Sequence, residues 1–89
     1  MAHLFIPQSL KADHLAYPLE MAVGATVAEA LADLGTRHAG AIDPFWREGM
    51  LRPGFFIIHN QRVLDPDAVC GLRLAQGDQV RIVQPLSGG

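Results

Sequence analysis

The segment GATVAEALADL, residues 24–34, predicts the helix around which the rest of the chain is arranged. Thr26 and Glu29 are spaced as a capping box, in which each side chain accepts a hydrogen bond from the other residue's backbone N–H. Behind this start, apolar residues recur on one face of a helix at the i, i+3, i+4 and i+7 positions, which are Val27, Ala30, Leu31 and Leu34. We expect the helix to end at Gly35 or to run on to His38.

Five short segments on either side of this helix are typical of strands, at residues 3–10, 17–23, 55–58, 63–64 and 79–84. Residues 55–58 are apolar throughout, which predicts a strand covered on both faces or close to it. A first hairpin, a crossover helix and two further pairings predict a mixed sheet of four to five strands around one main helix. This α+β arrangement is the β-grasp, or ubiquitin-like, fold.

The segment between the helix and the third strand contains two adjacent aromatic residues. Asp43 followed by Pro44 predicts an N-cap with proline at the first helical position, and then a short helical turn at residues 45–48. Phe45 and Trp46 lie in this turn. Two interpretations are open, since aromatic residues are enriched in interface cores and also pack in domain cores.

Composition favours one folded domain. The chain has 89 residues, of which 49% are hydrophobic and 18% charged, and it has room for a single core. The formal net charge of −2 gives no electrostatic case for nucleic acid or an anionic membrane as a partner. No apolar run approaches the ~18 residues that span a bilayer, and we expect no signal peptide. A single cysteine excludes an internal disulfide, and together these features favour the cytoplasm.

Side chains that could carry chemistry within the domain are sparse. Cys70 is more typical of a small buried hydrophobe than of a reactive thiol. The four histidines, His3, His14, His38 and His59, share no spacing typical of a zinc site. No glycine-rich phosphate loop follows a strand, so we expect the chain itself to bind no ATP and no other cofactor.

The last strand leads directly into the tail Pro85-Leu86-Ser87-Gly88-Gly89. Two glycines leave the terminal carboxylate without a nearby Cβ, so the backbone can thread into a narrow cleft. Such an end suits a protein whose terminal carboxylate is the reactive group. The alternative is a disordered terminus, which would tolerate almost any polar sequence. From the tail alone both interpretations are open. We expect a domain at residues 1–84 and a flexible tail at residues 85–89.

Four pieces of the chain together resemble the MoaD/ThiS family of ubiquitin-like sulfur carriers. They are residues 24–31 (GATVAEAL), 51–54 (LRPG) with the strand that follows, 77–80 (GDQV) and the tail at 85–89 (PLSGG). The pieces stand in the family's order and cover most of the chain. Each is weak alone, but their combination is fairly specific.

The resemblance implies that the chain is a protein co-substrate and not an enzyme. An E1-like adenylyltransferase would use ATP to activate the Gly89 carboxylate, and sulfur transfer would then produce a terminal thiocarboxylate. A partner synthase would accept the tail and take the sulfur. The residues of the tail implied to enter these partners are Gly88, Ser87, Leu86 and Pro85. Phe5, Phe56 and Leu86 are candidates for an apolar patch that faces a partner, or Phe5 and Phe56 are simply core residues. Arg73 and Arg81 either face an acidic partner surface or are simply solvated.

Several acceptor pathways fit this resemblance. The length favours the small subunit of molybdopterin synthase, with the large subunit as partner, because carriers for thiamine thiazole synthesis are usually shorter between residues 38 and 55. The first strand, LFIPQSL at residues 4–10, is closer to carriers of the cysteine-synthesis type. Two further functions also fit the chain: a ubiquitin-like modifier joined to lysines through Gly89, and a plain interaction module with an inert tail.

Overall fold

A five-stranded sheet with a small hairpin beside it forms the framework of the protein. The computed structural model describes residues 1–7 and 17–84. In chain order its elements are β1 (Ala2–Phe5), β2 (Leu19–Met21), α1 (Val27–Arg37), α2 (Ala39–Ile42), β3 (Trp46–Arg47), β4 (Met50–Leu51), β5 (Phe56–His59), β6 (Arg62–Leu64), a 3-10 turn (Pro66–Ala68) and β7 (Gln79–Val83). The sheet order is β2-β1-β7-β5-β6, with β1 and β7 parallel and the other neighbours antiparallel. This mixed sheet confirms the predicted β-grasp fold.

The capping box at the start of α1 forms as predicted. The Thr26 N–H donates to Glu29 Oε1 at 2.8 Å, and the Glu29 N–H donates to Thr26 Oγ1 at 3.1 Å. The helix runs past Gly35 and ends with His38 as its C-cap, so the longer of the two predicted helices is right. The four predicted core positions of the helix are all at most 5% exposed.

α1 packs against one face of the sheet, and the core lies between them. The inward-facing residues of the central strands include Leu4, Ile57, Val80 and Ile82, each at most 2% exposed. The prediction that residues 55–58 are covered on both sides is wrong, because Phe56 is 49% exposed while its neighbour Ile57 is fully buried. The reason is that α1 covers one face of the sheet and no described element covers the other.

The segment after α1 folds differently from the prediction. Asp43 is the C-cap of α2, since its backbone N–H donates to Ala39 O at 2.9 Å, and it does not start a new helix. The predicted helical turn at residues 45–48 is instead the beginning of the β3–β4 hairpin, whose turn residues Glu48 and Gly49 have φ of 53° and 75°. Positive φ at both central residues is the type I′ geometry that suits a twisted hairpin.

The two aromatic residues of this segment belong to the core. Phe45 and Trp46 are 0% and 4% exposed, and the Phe45 ring lies 6.1 Å from that of Phe55. Of the two interpretations, packing in the domain core is therefore correct.

Cys70 lies on the surface, which contradicts its predicted burial. The 3-10 turn before it is capped by Asp65, and it directs the neighbouring Val69 inward, where only 5% of that residue is exposed. Cys70, the residue after Val69, therefore faces the solvent.

Candidate functional site

β7, the strand that leads to the tail, lies in the middle of the sheet. β1 pairs with one of its edges and β5 with the other. Val83 is its last residue, and Gln84 is the last residue that the structure describes. The predicted site residues Pro85, Leu86, Ser87, Gly88 and Gly89 lie outside the described residues. The fold therefore brings the attachment point of the tail to one end of the central strand.

The sheet face opposite α1, called the outer face below, carries apolar side chains on both sides of β7. Successive residues of a strand point to opposite faces, so the neighbours of the buried positions lie here. Phe5 on β1 lies opposite Arg81, and Phe56 on β5 lies opposite Val83. The two predicted patch residues, Phe5 and Phe56, are thus on one face and flank the strand that carries the tail. That they bind a partner stays a prediction.

Arg81 places a positive charge in this apolar face. Its guanidinium carbon lies 4.8 Å from the centroid of the Phe5 ring, and the Phe5 ring meets the Tyr17 ring edge-on at 5.9 Å. A cation held over an aromatic ring at an exposed site gains about 0.5–1 kcal/mol. Arg73, by contrast, donates to the Gly24 carbonyl at 2.8 Å and ties the last loop to the start of the helix.

A hydrogen-bond network around Asp78 stabilises the start of β7. Its carboxylate lies within hydrogen-bond distance of three groups, each at 2.9 Å: the Ala75 backbone N–H, His59 Nε2 and Asn60 Nδ2. Asn60 also accepts a hydrogen bond from the Gln79 N–H at 2.8 Å, so the β5–β6 turn is joined to the first residue of β7. These contacts explain why an aspartate precedes the strand, although the sequence could not show which partners Asp78 has.

The same contacts lower the pKa of Asp78 to about 2, chiefly through the Ala75 N–H and then through His59 and Asn60. Because each donor favours the ionised carboxylate, protonation of Asp78 must destabilise the folded state. A carboxylate whose pKa is lowered by folding stabilises the protein above its unfolded pKa, and this stabilisation is lost as the pH falls through the folded value.

We therefore expect acid to remove about 2 kcal/mol of the free energy of unfolding through this one group between about pH 4 and about pH 2. In the Asp78→Asn variant this loss should be absent, and the variant should be less stable than the wild type at neutral pH. Urea unfolding at several pH values measures both effects. The control is Asp33→Asn, which removes only an exposed ion pair to Arg37 worth at most about 0.5 kcal/mol. Equal acid sensitivity of the wild type and Asp78→Asn would contradict the prediction.

Within residues 1–7 and 17–84, no group of three or more histidine, cysteine, aspartate or glutamate side chains is placed to hold a metal ion. In the same part of the chain, no helix combines the length and the apolar character needed to cross a membrane.

Known proteins resemble this chain in sequence family and in fold. The ThiS family matches residues 11–89, which includes the tail. A chain in the crystal structure of the Amycolatopsis orientalis BexX/CysO complex superimposes with a TM-score of 0.78 at 24% identity, over 100% of both chains. SAMP1 from Haloferax volcanii gives 0.69 at 22% identity, over 99% of this chain and 98% of that one. The Haloferax volcanii HVO 2177 protein gives 0.60 at 22% identity, over 99% and 85%. No curated protein matches in sequence.

At these identities the solved structures show the fold, which is that of a small β-grasp protein. The family match extends over most of the chain, and the chain belongs to the ThiS family of ubiquitin-like sulfur carriers. The resemblance seen in the sequence is thereby confirmed.

Proposed function

We propose that Gly89 carries sulfur as a C-terminal thiocarboxylate and delivers it to a synthase in the cytoplasm. The observation that carries this proposal is the family match, which continues through the tail to Gly89. The fold adds support, because the central strand β7 ends at Val83 and leads directly into that tail. The tail therefore follows a strand that is hydrogen-bonded to a neighbouring strand on each edge.

The chemistry requires two steps at one carboxylate. A carboxylate is a poor electrophile, so an E1-like adenylyltransferase first joins Gly89 to AMP from ATP and releases pyrophosphate. A sulfide-level nucleophile then attacks the acyl carbon and forms a C–S bond, the C–O bond to AMP breaks, and AMP leaves with the electron pair of that bond. ATP is a substrate of the activating enzyme, and the carrier contributes the acyl group and the surface by which it is recognised.

The outer face serves as that recognition surface. Phe56 is 49% exposed and lies opposite Val83, so a partner that encloses the tail also meets this ring. Phe5 lies on β1, on the other side of β7, and Arg81 of β7 holds its guanidinium over that ring, so the two side chains present an aromatic ring and a cation together. Apolar anchors surrounded by a polar rim are the usual composition of an interface centre.

The acceptor is the large subunit of molybdopterin synthase. Support comes from the segment between residues 38 and 55, which makes this chain longer than a typical thiazole-synthesis carrier and which folds into α2 and the β3–β4 hairpin. A synthase of the cysteine-forming type is the second candidate, because the first strand, with Ile6 and Pro7, follows the pattern of carriers of that type.

The proposal is tested by co-expression of the chain with its activating enzyme and a sulfur source, followed by intact-mass spectrometry. One oxygen of Gly89 should be replaced by sulfur. The loaded carrier is then offered to a molybdopterin synthase large subunit with its pterin precursor and, in parallel, to a cysteine-forming synthase with its amino-acid substrate. Turnover in the first reaction supports the molybdopterin synthase large subunit as the acceptor. Turnover in the second reaction alone would identify the cysteine-forming synthase as the acceptor instead. Lysine conjugates in a cell lysate without any thiocarboxylate would identify a protein modifier and overturn the proposal.

A further inference from the structure

Arg81 lies at the centre of the outer face, on the strand that leads to the tail. Its neighbours across the two ladders are Phe5 of β1 and Ile58 of β5, and Val63 of β6 lies opposite Ile58. One row of side chains therefore crosses four strands, with apolar groups on both sides of a guanidinium. Val63 is 70% exposed and Arg81 is exposed as well, so this row is open to a partner.

The Arg81 guanidinium pairs with no carboxylate within residues 1–7 and 17–84, where the ion pairs involve other residues. Its contact there is with the Phe5 ring, at 4.8 Å from the centroid. An aromatic ring attracts the positive charge, but it is no substitute for the oxygen atoms that the five N–H groups of an arginine can bind. The side chain is therefore positioned by the ring and still able to receive a carboxylate.

A cavity beside Arg81 contains further hydrogen-bond donors. Its volume is about 260 Å³, and its other lining residues are Ile58, Gln61 and Gln79. Both glutamine residues are exposed, and each side-chain amide can donate two hydrogen bonds. The lining thus combines one positive charge with two neutral amides and includes no carboxylate.

Two carboxylates of the outer face lie at its borders. Glu20 is on β2, which forms one edge of the sheet, and Asp65 follows β6, which forms the other. The Asp65 carboxylate already accepts the Asp67 N–H at 2.9 Å. A charge at the rim of an interface stays hydrated, whereas a charge at its centre loses its water. The central cation therefore decides which group a partner must supply.

A protein that encloses the tail also covers Arg81. This residue precedes Val83, the end of β7, by two positions, or about 7 Å along the strand. An interface of ordinary size covers about 800 Å² of each partner, which is the area of a disc about 16 Å in radius. Such a disc centred on the end of β7 includes the guanidinium. Because a buried charge without a counter-ion is strongly unfavourable, the partner has to bring a carboxylate.

We propose that the activating enzyme places an aspartate or glutamate side chain against Arg81, in the cavity that Gln61 and Gln79 also line. This inference rests on the proposed function, in which that enzyme adenylates Gly89. The carboxylate pairs with the guanidinium and accepts hydrogen bonds from the amides, while apolar side chains of the enzyme pack on either side. Arg81 then acts as a specificity residue, because a protein with an apolar or basic group at this point would leave the cation buried and unpaired.

The test is the carrier-dependent exchange of pyrophosphate into ATP by the activating enzyme, measured over a range of carrier concentrations. We expect Arg81→Glu to raise the KM for the carrier by at least about 30-fold, and to change the rate at saturating carrier less than it changes KM. Arg81→Lys keeps the charge and should recover most of this loss. The matched control, Arg37→Glu on α1, changes the net charge equally on the other side of the sheet and should leave KM within about twofold.

Variants of the enzyme can identify the counter-ion. Among enzymes in which one surface aspartate or glutamate is replaced by lysine, at least one should restore activity on Arg81→Glu. Circular dichroism checks that each carrier variant is folded.

Three outcomes would overturn the proposal: an equal KM for Arg81→Glu and Arg37→Glu, an Arg81→Lys variant as poor as Arg81→Glu, or the absence of any restoring enzyme variant. If the wild-type chain is not adenylated at all, the proposed function itself is overturned, and this inference with it.

Discussion

Deletion of Gly89 is expected to reduce thiocarboxylate formation by at least about 100-fold. The deletion leaves a carboxylate on Gly88, but it withdraws the acyl carbon by one residue, about 3.5 Å. Misplacement of a reacting atom by about 1 Å can already cost about 100-fold in rate. Intact-mass spectrometry after incubation with the activating enzyme, ATP and a sulfur source measures the product directly.

Two controls separate this effect from damage to the fold. The deletion variant should have the wild-type unfolding temperature, because the described core uses no residue beyond Ile82. Ser87→Ala, a small change in the same tail that keeps its length, should retain most of the product. Normal sulfur delivery by the variant without Gly89 would refute the assignment of that residue as the carrier.

Truncation of Phe45 to alanine is expected to cost about 3–5 kcal/mol of the free energy of unfolding. The ring is fully buried beside Phe55, in the segment that joins α2 to β3. Since domains of this size are stable by only about 5–15 kcal/mol, the variant should unfold at much lower urea concentration or be partly unfolded without urea. Urea unfolding followed by circular dichroism gives the value.

The matched control is Phe56→Ala, which removes the same side chain from the outer face. Because Phe56 is 49% exposed, we expect a loss of less than about 1.5 kcal/mol. In the proposed role this variant should weaken binding to the activating enzyme, whereas its stability changes little. If the two variants were equally unstable, the division of the sheet into a core face and an outer face would be wrong.

The helix and the approximate positions of the strands could be predicted because they depend on neighbours in sequence. The capping box requires only Thr26 and Glu29, and the helical face repeats over two turns. The β5–β6 turn carries no glycine, although Asn60 and Gln61 adopt φ values of 46° and 74° that usually favour glycine. The prediction that Asp43 and Pro44 start a helix was wrong because the Asp43 N–H donates to Ala39 O. Asp43 therefore ends α2 and does not begin a new helix.

The candidate site could be predicted only in part. The tail was evident from Gly88 and Gly89, whereas the uniformly apolar run at residues 55–58 could not indicate that one side of it is exposed. Which face α1 covers is decided by packing between distant segments, as is the position of Arg81 over Phe5. The alternation along β7, where Val80 and Ile82 are separated by Arg81, was the available signal for the outer face.

The place of β7 between a parallel and an antiparallel neighbour has a mechanical consequence. Tension applied at Gln84 along the strand acts on both ladders in shear, because inter-strand hydrogen bonds lie across the direction of pull. The bonds to β1 and β5 then share the load and must break together, whereas an edge strand could be peeled away bond by bond. In the proposed role, an enzyme that pulls on the tail could therefore hold and release it without unfolding the domain behind it.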